Sequence, residues 1–426
     1  MTHSVLTFIS PVIPAKADAL RALLKQIGDN PEKNAILSFR RLEKLHFASF
    51  FVHEPTDEQQ KKDYGIVLVF ENNFDGELDP YLSDLYNNLG DGLHQIYQHC
   101  SDYSIMSATE RDNMFSYFKA HVIWPNAYHI GNTGREARRI LDERTLHDAL
   151  ETRADELVDS ENKSSALQLF ASLKDFIASN SKFSWVPGVG PRQTAKEKYL
   201  PWVNFAAQAS LIVLLIILLL PISVILAVVL LGKESTDSEK AGGADNDNIR
   251  NLVESEDHTI SVQNHMASIT VVKPGWLRRL TLWLVLRTIN LLARAAATHG
   301  ELSGIPSIHF AHWSMIDGGR RLLFVSNFDG SWENYLDDFI DKAHYGLTAV
   351  WSNTVNFPRT HFLVLGGATD GPRFKAIARD SQTVTNAWYS AYLDLTVQNI
   401  DNSSSIREDI FTPLDPTGQE AWLQRL

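Results

Sequence analysis

The tetrapeptide NFDG occurs twice, in VFENNFDGELDPYLSDL (69–85) and in FVSNFDGSWENYLDDF (324–339), each time closing an apolar run and opening a helical pattern. A shift of 254 residues pairs 68–100 with 322–354 without a gap and brings 11 identities into register, among them Leu68/Leu322, Phe70/Phe324, all four NFDG positions and Tyr81/Tyr335. Ordinary residue usage gives about two. The chain is therefore internally duplicated. Upstream, LHFASFFV (45–52) aligns with IHFAHWSM (308–315), and HEPTDEQQKKDY (53–64) stands where the second copy has only IDGGR (316–320). A polar stretch opposite a tight Asp-Gly-Gly turn is a hairpin loop of variable length.

Each copy reads as a strand (5–11; 268–273), a helix (15–27; 277–297), a hairpin (45–52 with 66–70; 308–315 with 321–326) and a second helix (80–99; 332–345), with a later strand near 361–365. This is the plan of a ferredoxin-like βαββαβ repeat. The fold class expected is α+β, two such repeats forming a pseudo-dimeric α+β barrel around an inserted hydrophobic membrane segment. The expected divisions are a first repeat at 1–150, a helical connector at 151–203, a membrane segment at 204–232, an acidic flexible linker at 233–258 and a second repeat at 259–426. Within NFDG itself, Asp-Gly is turn and capping chemistry and Phe74 and Phe328 are core residues; Asp329 is also a candidate for catalysis.

The formal charge of −12 and the lack of a Lys/Arg run interleaved with aromatics exclude broad nucleic-acid binding. The single Cys100 forms no intrachain disulfide, and no Cys/His zinc spacing exists; no metal site is expected. The N-terminal residues lack the pattern of a signal peptide. Residues 204–232 carry no charge, and about 20 apolar residues suffice to cross a bilayer, so membrane insertion is expected, with Pro221 kinking one span or turning a re-entrant hairpin. Basic residues before the segment and acidic ones after it place the first repeat in the cytoplasm. A shared barrel then puts both repeats on the cytoplasmic side of the inner membrane, with the lipid bilayer as partner. GWLRRLTLWLVLRTINLLARAAATHG (275–300) gathers Arg279, Arg287, Asn290 and Arg294 on one helical face. It reads either as an interfacial amphipathic helix or as the first helix of the second repeat packing on its sheet.

Element order and duplication resemble the dimeric α+β barrel superfamily, which includes chlorite dismutase-like and dye-decolourising-peroxidase-like haem proteins. The resemblance covers roughly 2–141 and 265–410. It implies a haem-dependent, peroxidase-like oxidoreductase with haem as cofactor. The peroxidase branch carries Gly-x-x-Asp-Gly; here SNFDG (326–330) and NNFDG (72–76) keep Asp-Gly and replace the first Gly. Asp329 and Arg359 are the candidate catalytic residues. His312, His344 and His361 are candidate axial ligands, and Trp351 and Tyr389 belong to aromatic segments that would wall a pocket. Because His309 and His312 are three apart on a strand, they face opposite ways and do not form a joint metal site. The alternatives are a non-catalytic small-molecule-binding or sensing module, a homo-oligomer among its forms, and a scaffold pairing with another protein.

Overall fold

Alternation along the first strand sets the architecture. In β1 (His3–Pro11), Leu6 and Phe8 point to one face while Val5 and Ile9 point to the other, the period of two required of a strand covered on both sides. The computed structural model describes residues 3–159, 165–188, 195–218, 220–237, 246–256, 262–296 and 301–426. After β1 the first repeat continues through α1 (Ala17–Gly28), β2 (Leu45–His53), α2 (Glu58–Tyr64), β3 (Val67–Asp75), α3 (Leu78–Tyr97), α4 (Arg111–His121), β4 (Val122–Ile123), β5 (Ala127–Ile130) and α5 (Ala137–Asp159). An insert follows with α6 (Ala166–Ser179), α7 (Ala195–Leu218), α8 (Leu220–Ser235) and α9 (Asn246–Glu256). The second repeat comprises β6 (Gln263–Val271), α10 (Trp276–Ala296), β7 (Ile308–Ile316), β8 (Arg321–Asp329), α11 (Trp332–Trp351), β9 (Thr360–His361), β10 (Leu365–Gly366), α12 (Gly371–Ser381), β11 (Ala387–Ser390) and α13 (Val397–Asp409), with α14 (Pro416–Leu423) after it.

Two antiparallel sheets result, ordered β11-β2-β3-β1-β4 and β5-β7-β8-β6. The last strand of each repeat has crossed over: β5 pairs with β7 of the second repeat, and β11 with β2 of the first. The reciprocal exchange covers one edge of each sheet with a strand from the other half, removing the bare edges that invite aggregation. The residues expected as a strand near 361–365 form a separate two-stranded hairpin, β9 with β10.

Helices cover the outer faces. Leu20 and Leu24 of α1, Leu85 and Leu93 of α3 and Phe118 of α4 pack on Phe50 and Phe70 of the first sheet, whose rings stack with centroids 4.0 Å apart. Leu282 and Leu286 of α10, Phe339 of α11 and Phe374 of α12 do the same over Phe324 of the second. Between the sheets, Phe51, Val67 and Val69 meet Ala267, Leu323 and Val325. The order of layers is helix, sheet, sheet, helix.

The membrane segment requires correction. Among the described residues, no helix is long and apolar enough to cross a membrane. The apolar run is described as α7 up to Leu218 and as α8 from Leu220, with residue 219 outside the described residues. The first half of α7 is interrupted by Asn204 and by Gln208, whose Oε1 accepts a hydrogen bond from Arg287 of α10 at 2.7 Å. The far end of α8 is tied to the second repeat. Glu234 is buried there and accepts from the Thr360 hydroxyl and from the Leu363 N–H at 2.8 Å. Asp237 accepts from Lys273 and Arg278, both at 2.6 Å. This overturns the inserted membrane segment within the expected fold class, the transmembrane helix, and with them the membrane location and cytoplasmic-side placement. In the stretch read as a flexible linker, residues 238–245 and 257–258 lie outside the described residues, whereas Asn246–Glu256 is helical and Glu256 holds Arg379 at 2.5 Å.

Candidate functional site

NFDG closes the central strand of each sheet, and each of its residues has a definable task. Phe74 and Phe328 stack on Tyr81 and Tyr335, with centroids 3.6 and 3.8 Å apart. Gly76 and Gly330 take φ of 100° and 83°, a left-handed conformation that glycine adopts without strain. Asp75 and Asp329 do not cap the helices that follow them. Asp75 Oδ2 accepts from the N–H of Ala137, the first residue of α5, at 2.9 Å, and Asp329 Oδ2 from that of Val397, the first residue of α13, at 2.8 Å. A carboxylate is favoured at that end of a helix.

The other carboxylate oxygen faces a histidine. His46 and His309 are the extra residues where the pairing register of β2 with β3 and of β7 with β8 slips by one. Such a bulge re-aims a side chain. His46 Nε2 lies 3.0 Å from Asp75 Oδ1, and His309 Nε2 2.7 Å from Asp329 Oδ1. Among the described residues, only the first repeat has a third member: His3 Nδ1 lies 2.8 Å from Asp75 Oδ1, and its Nε2 accepts from the Gly134 N–H at 2.8 Å. His46 Nδ1 is 2.8 Å from the hydroxyl of Tyr392, which comes from the second repeat. Burial opposes ionisation of Asp75, but His46 and His3 outweigh it and hold the carboxyl well below the usual carboxylate range. Burial pushes the His3 imidazole down.

Between the sheets lies a second polar cluster. Glu71, fully buried, accepts from Ser49 Oγ at 2.9 Å, from Asn73 Nδ2, and from Asn327 Nδ2 at 3.1 Å across the gap. His265 Nε2 stands 3.4 Å from Glu71, and His312 Nε2 is 3.1 Å from the Thr7 hydroxyl. Burial raises the Glu71 pKa, yet His265, His312 and Asn73 pull it down to about 2. Burial lowers His312 to about 4. At neutral pH this centre is a carboxylate satisfied by neutral donors and flanked by a neutral His312.

A cleft of about 460 Å³ opens between the repeats. The start of β1 and the loop carrying Trp124 and Asn126 form one side, and Trp283, Arg287 and Asn290 of α10 form the other. Trp124 and Trp283 are about half exposed, whereas Asn290 is buried and its Oδ1 has no hydrogen-bond partner among the described residues. His3 borders this cleft.

The residues singled out from sequence are not gathered into one place. Asp329 holds His309 and the start of α13. His312 is sealed between the sheets. Trp351 lies in the core of the second repeat beside a void of about 20 Å³, room for about one water. Tyr389, on β11, packs in the first repeat's core against Phe39. Arg359 and His361 are exposed on and beside the β9–β10 hairpin, and His344 lies against Tyr345 on α11. None of His312, His344 and His361 lines either cavity, so these residues offer haem no axial ligand facing an open space there. His3, Glu71 and His265 were missed. Glu71 left one signal, a carboxylate inside an apolar strand (VLVFENN). His3 left none, because the second copy has Gln263 at its position.

Compared with known protein families, curated proteins and solved structures, the chain has no match. Nothing in these comparisons ties it to the chlorite dismutase-like or dye-decolourising-peroxidase-like proteins.

Proposed function

We propose that this protein is a small-molecule-binding module whose ligand occupies the cleft between the repeats. The observation that carries this reading is the cleft itself: about 460 Å³, walled by both halves of the chain, in the size range of small-ligand sites. Its lining favours a planar, anionic ligand. Trp124 and Trp283 offer aromatic faces for stacking, Arg287 supplies a cation on the α10 side opposite Glu77, and Asn290 Oδ1, without a partner among the described residues, accepts one donor from the ligand. Ligand binding there would clamp one repeat against the other, the behaviour expected of a sensing module. No reaction step is assigned.

The test is calorimetric titration of the full chain with a panel of aromatic carboxylates, with thermal denaturation alongside. A true ligand raises the melting temperature by mass action. Trp283→Ala and Arg287→Ala should each weaken binding at least tenfold while leaving the unliganded melting temperature close to that of the parent, since both side chains are exposed. Binding that survives both substitutions, or a panel with no binder at millimolar concentration, defeats the reading.

A further inference from the structure

The His3–His46–Asp75 cluster has chemistry that the fold does not need. We propose that His3 Nδ1, His46 Nε2 and Asp75 Oδ1 bind a divalent first-row transition-metal ion of the Zn²⁺/Co²⁺ class. These three atoms lie within 4.8 Å of one another. The carboxylate oxygen is 2.8 Å from one imidazole nitrogen and 3.0 Å from the other. Two donors about 2.0–2.1 Å from a common ion stand roughly 2.9–3.4 Å apart, so a small spreading of the cluster admits one. Two imidazoles and one carboxylate suit zinc, cobalt or ferrous iron rather than calcium or magnesium, which take oxygen donors.

Three further features favour an ion. His3 Nδ1 is buried against Asp75 Oδ1, and that buried pairing is the contact an ion would take over. The supporting contacts of a metal site are present: the Tyr392 hydroxyl on the far nitrogen of His46 and the Ala137 N–H on the second oxygen of Asp75. His3 borders the open cleft, so the donors, themselves buried, lie just behind its wall. Binding requires one rearrangement. The His3 proton must move to Nε2, so the Gly134 N–H that now points at Nε2 must turn away. Gly134 sits in a turn at φ 82°, where glycine permits that movement.

The second repeat is the control within the same chain. It keeps the bulge histidine and the strand-end aspartate, but Gln263 stands at the position of His3 and donates its amide to the carbonyls of Tyr392, at 3.0 Å, and Leu395. One site per chain follows, in the first repeat only. The proposal is independent of whether the cleft takes an organic ligand, because its test uses metal alone.

Untagged full-length protein, stripped with chelator, is titrated with CoCl₂ and then ZnCl₂ by calorimetry and visible absorption. The expected result is one ion per chain with a cobalt d–d spectrum that zinc bleaches. His3→Gln, which copies the residue the second repeat already accommodates, should lower affinity at least a hundredfold while the chain still melts cooperatively in chelator. Gln263→His should raise the stoichiometry to two. A parent chain that takes no ion, a His3→Gln chain that keeps its ion, or a Gln263→His chain that still takes one overturns the proposal.

Discussion

The two repeats are alike at their folding positions and unlike where they face each other. On the rung that carries NFDG's aspartate, the first repeat has His3 and Asp75 where the second has Gln263 and Asp329. On the next inward rung, Val5 and Asn73 correspond to His265 and Asn327. On the third, Thr7, Glu71 and Ser49 correspond to Ala267, Val325 and His312. Duplication has kept what builds each half: the stacked Phe–Tyr pair, the bulge histidine, and the aspartate that starts the last helix. It has divided what lies between the halves, with the carboxylate on one side and imidazoles on the other. Residues shared by both copies are explained by structure. Residues present in one copy alone mark the places where a binding function was open to evolve.

That comparison can be broken in four ways, taken from the largest expected effect to the smallest. Phe74→Ala and Phe328→Ala should each destabilise by about 4 kcal/mol, measured by urea denaturation; clearly unequal losses would deny that the two stacks are equivalent. The divided polar centre should show in acid. Between pH 6.5 and about 4 the unfolded chain takes up a proton at His312 that the native chain refuses, so stability falls as the pH drops through that window, by about 3 kcal/mol. Below pH 4.5 Glu71 adds a second loss, because its folded pKa of about 2 lies under the unfolded one. His312→Ser, the residue of the first repeat, should reduce the slope of the upper window without abolishing it, because burial also lowers His53, to about 3, and an unchanged slope between pH 7 and 5 would count against the assignment. Asp75→Asn should cost about 2 kcal/mol and Asp329→Asn about 1 kcal/mol, since Asp75 faces two imidazoles and Asp329 one; equal losses would make His3 irrelevant to the fold of the cluster. Gly76→Ala and Gly330→Ala should cost about 1 kcal/mol each. Nothing lies within 4 Å of an added Cβ at either position, so the loss is backbone strain alone and should match between the copies.

Much of this fold was legible because duplication supplied its own alignment. The register of 68–100 on 322–354 located the central strand and following helix of both halves, and the LHFA/IHFA match located the hairpins. The strand exchange was not legible, since nothing in AYHI or AWYS says which sheet either strand joins. The remote helix caps were hidden for the same reason: Asp75 and Ala137 are 62 residues apart. The hydrophobic run misled because hydropathy averages over residues 204–232 without registering the anchoring of Glu234 and Asp237 just beyond it. Repeat logic itself concealed His3. It credits what recurs, and the ligand-bearing difference at that position is a residue that does not.

The crossing of β5 and β11 has a consequence for the order in which the molecule can assemble. The first sheet cannot receive its edge strand until residues 387–390 have been made, and the second receives its own from residues made long before it. The first half therefore leaves the ribosome incomplete, and the pairing that finishes it is among the most distant in the chain. Such long-range closure is entropically late and slow. During synthesis β2 waits with one side bare, making it the segment of the nascent chain most in need of protection until the C-terminal strand arrives.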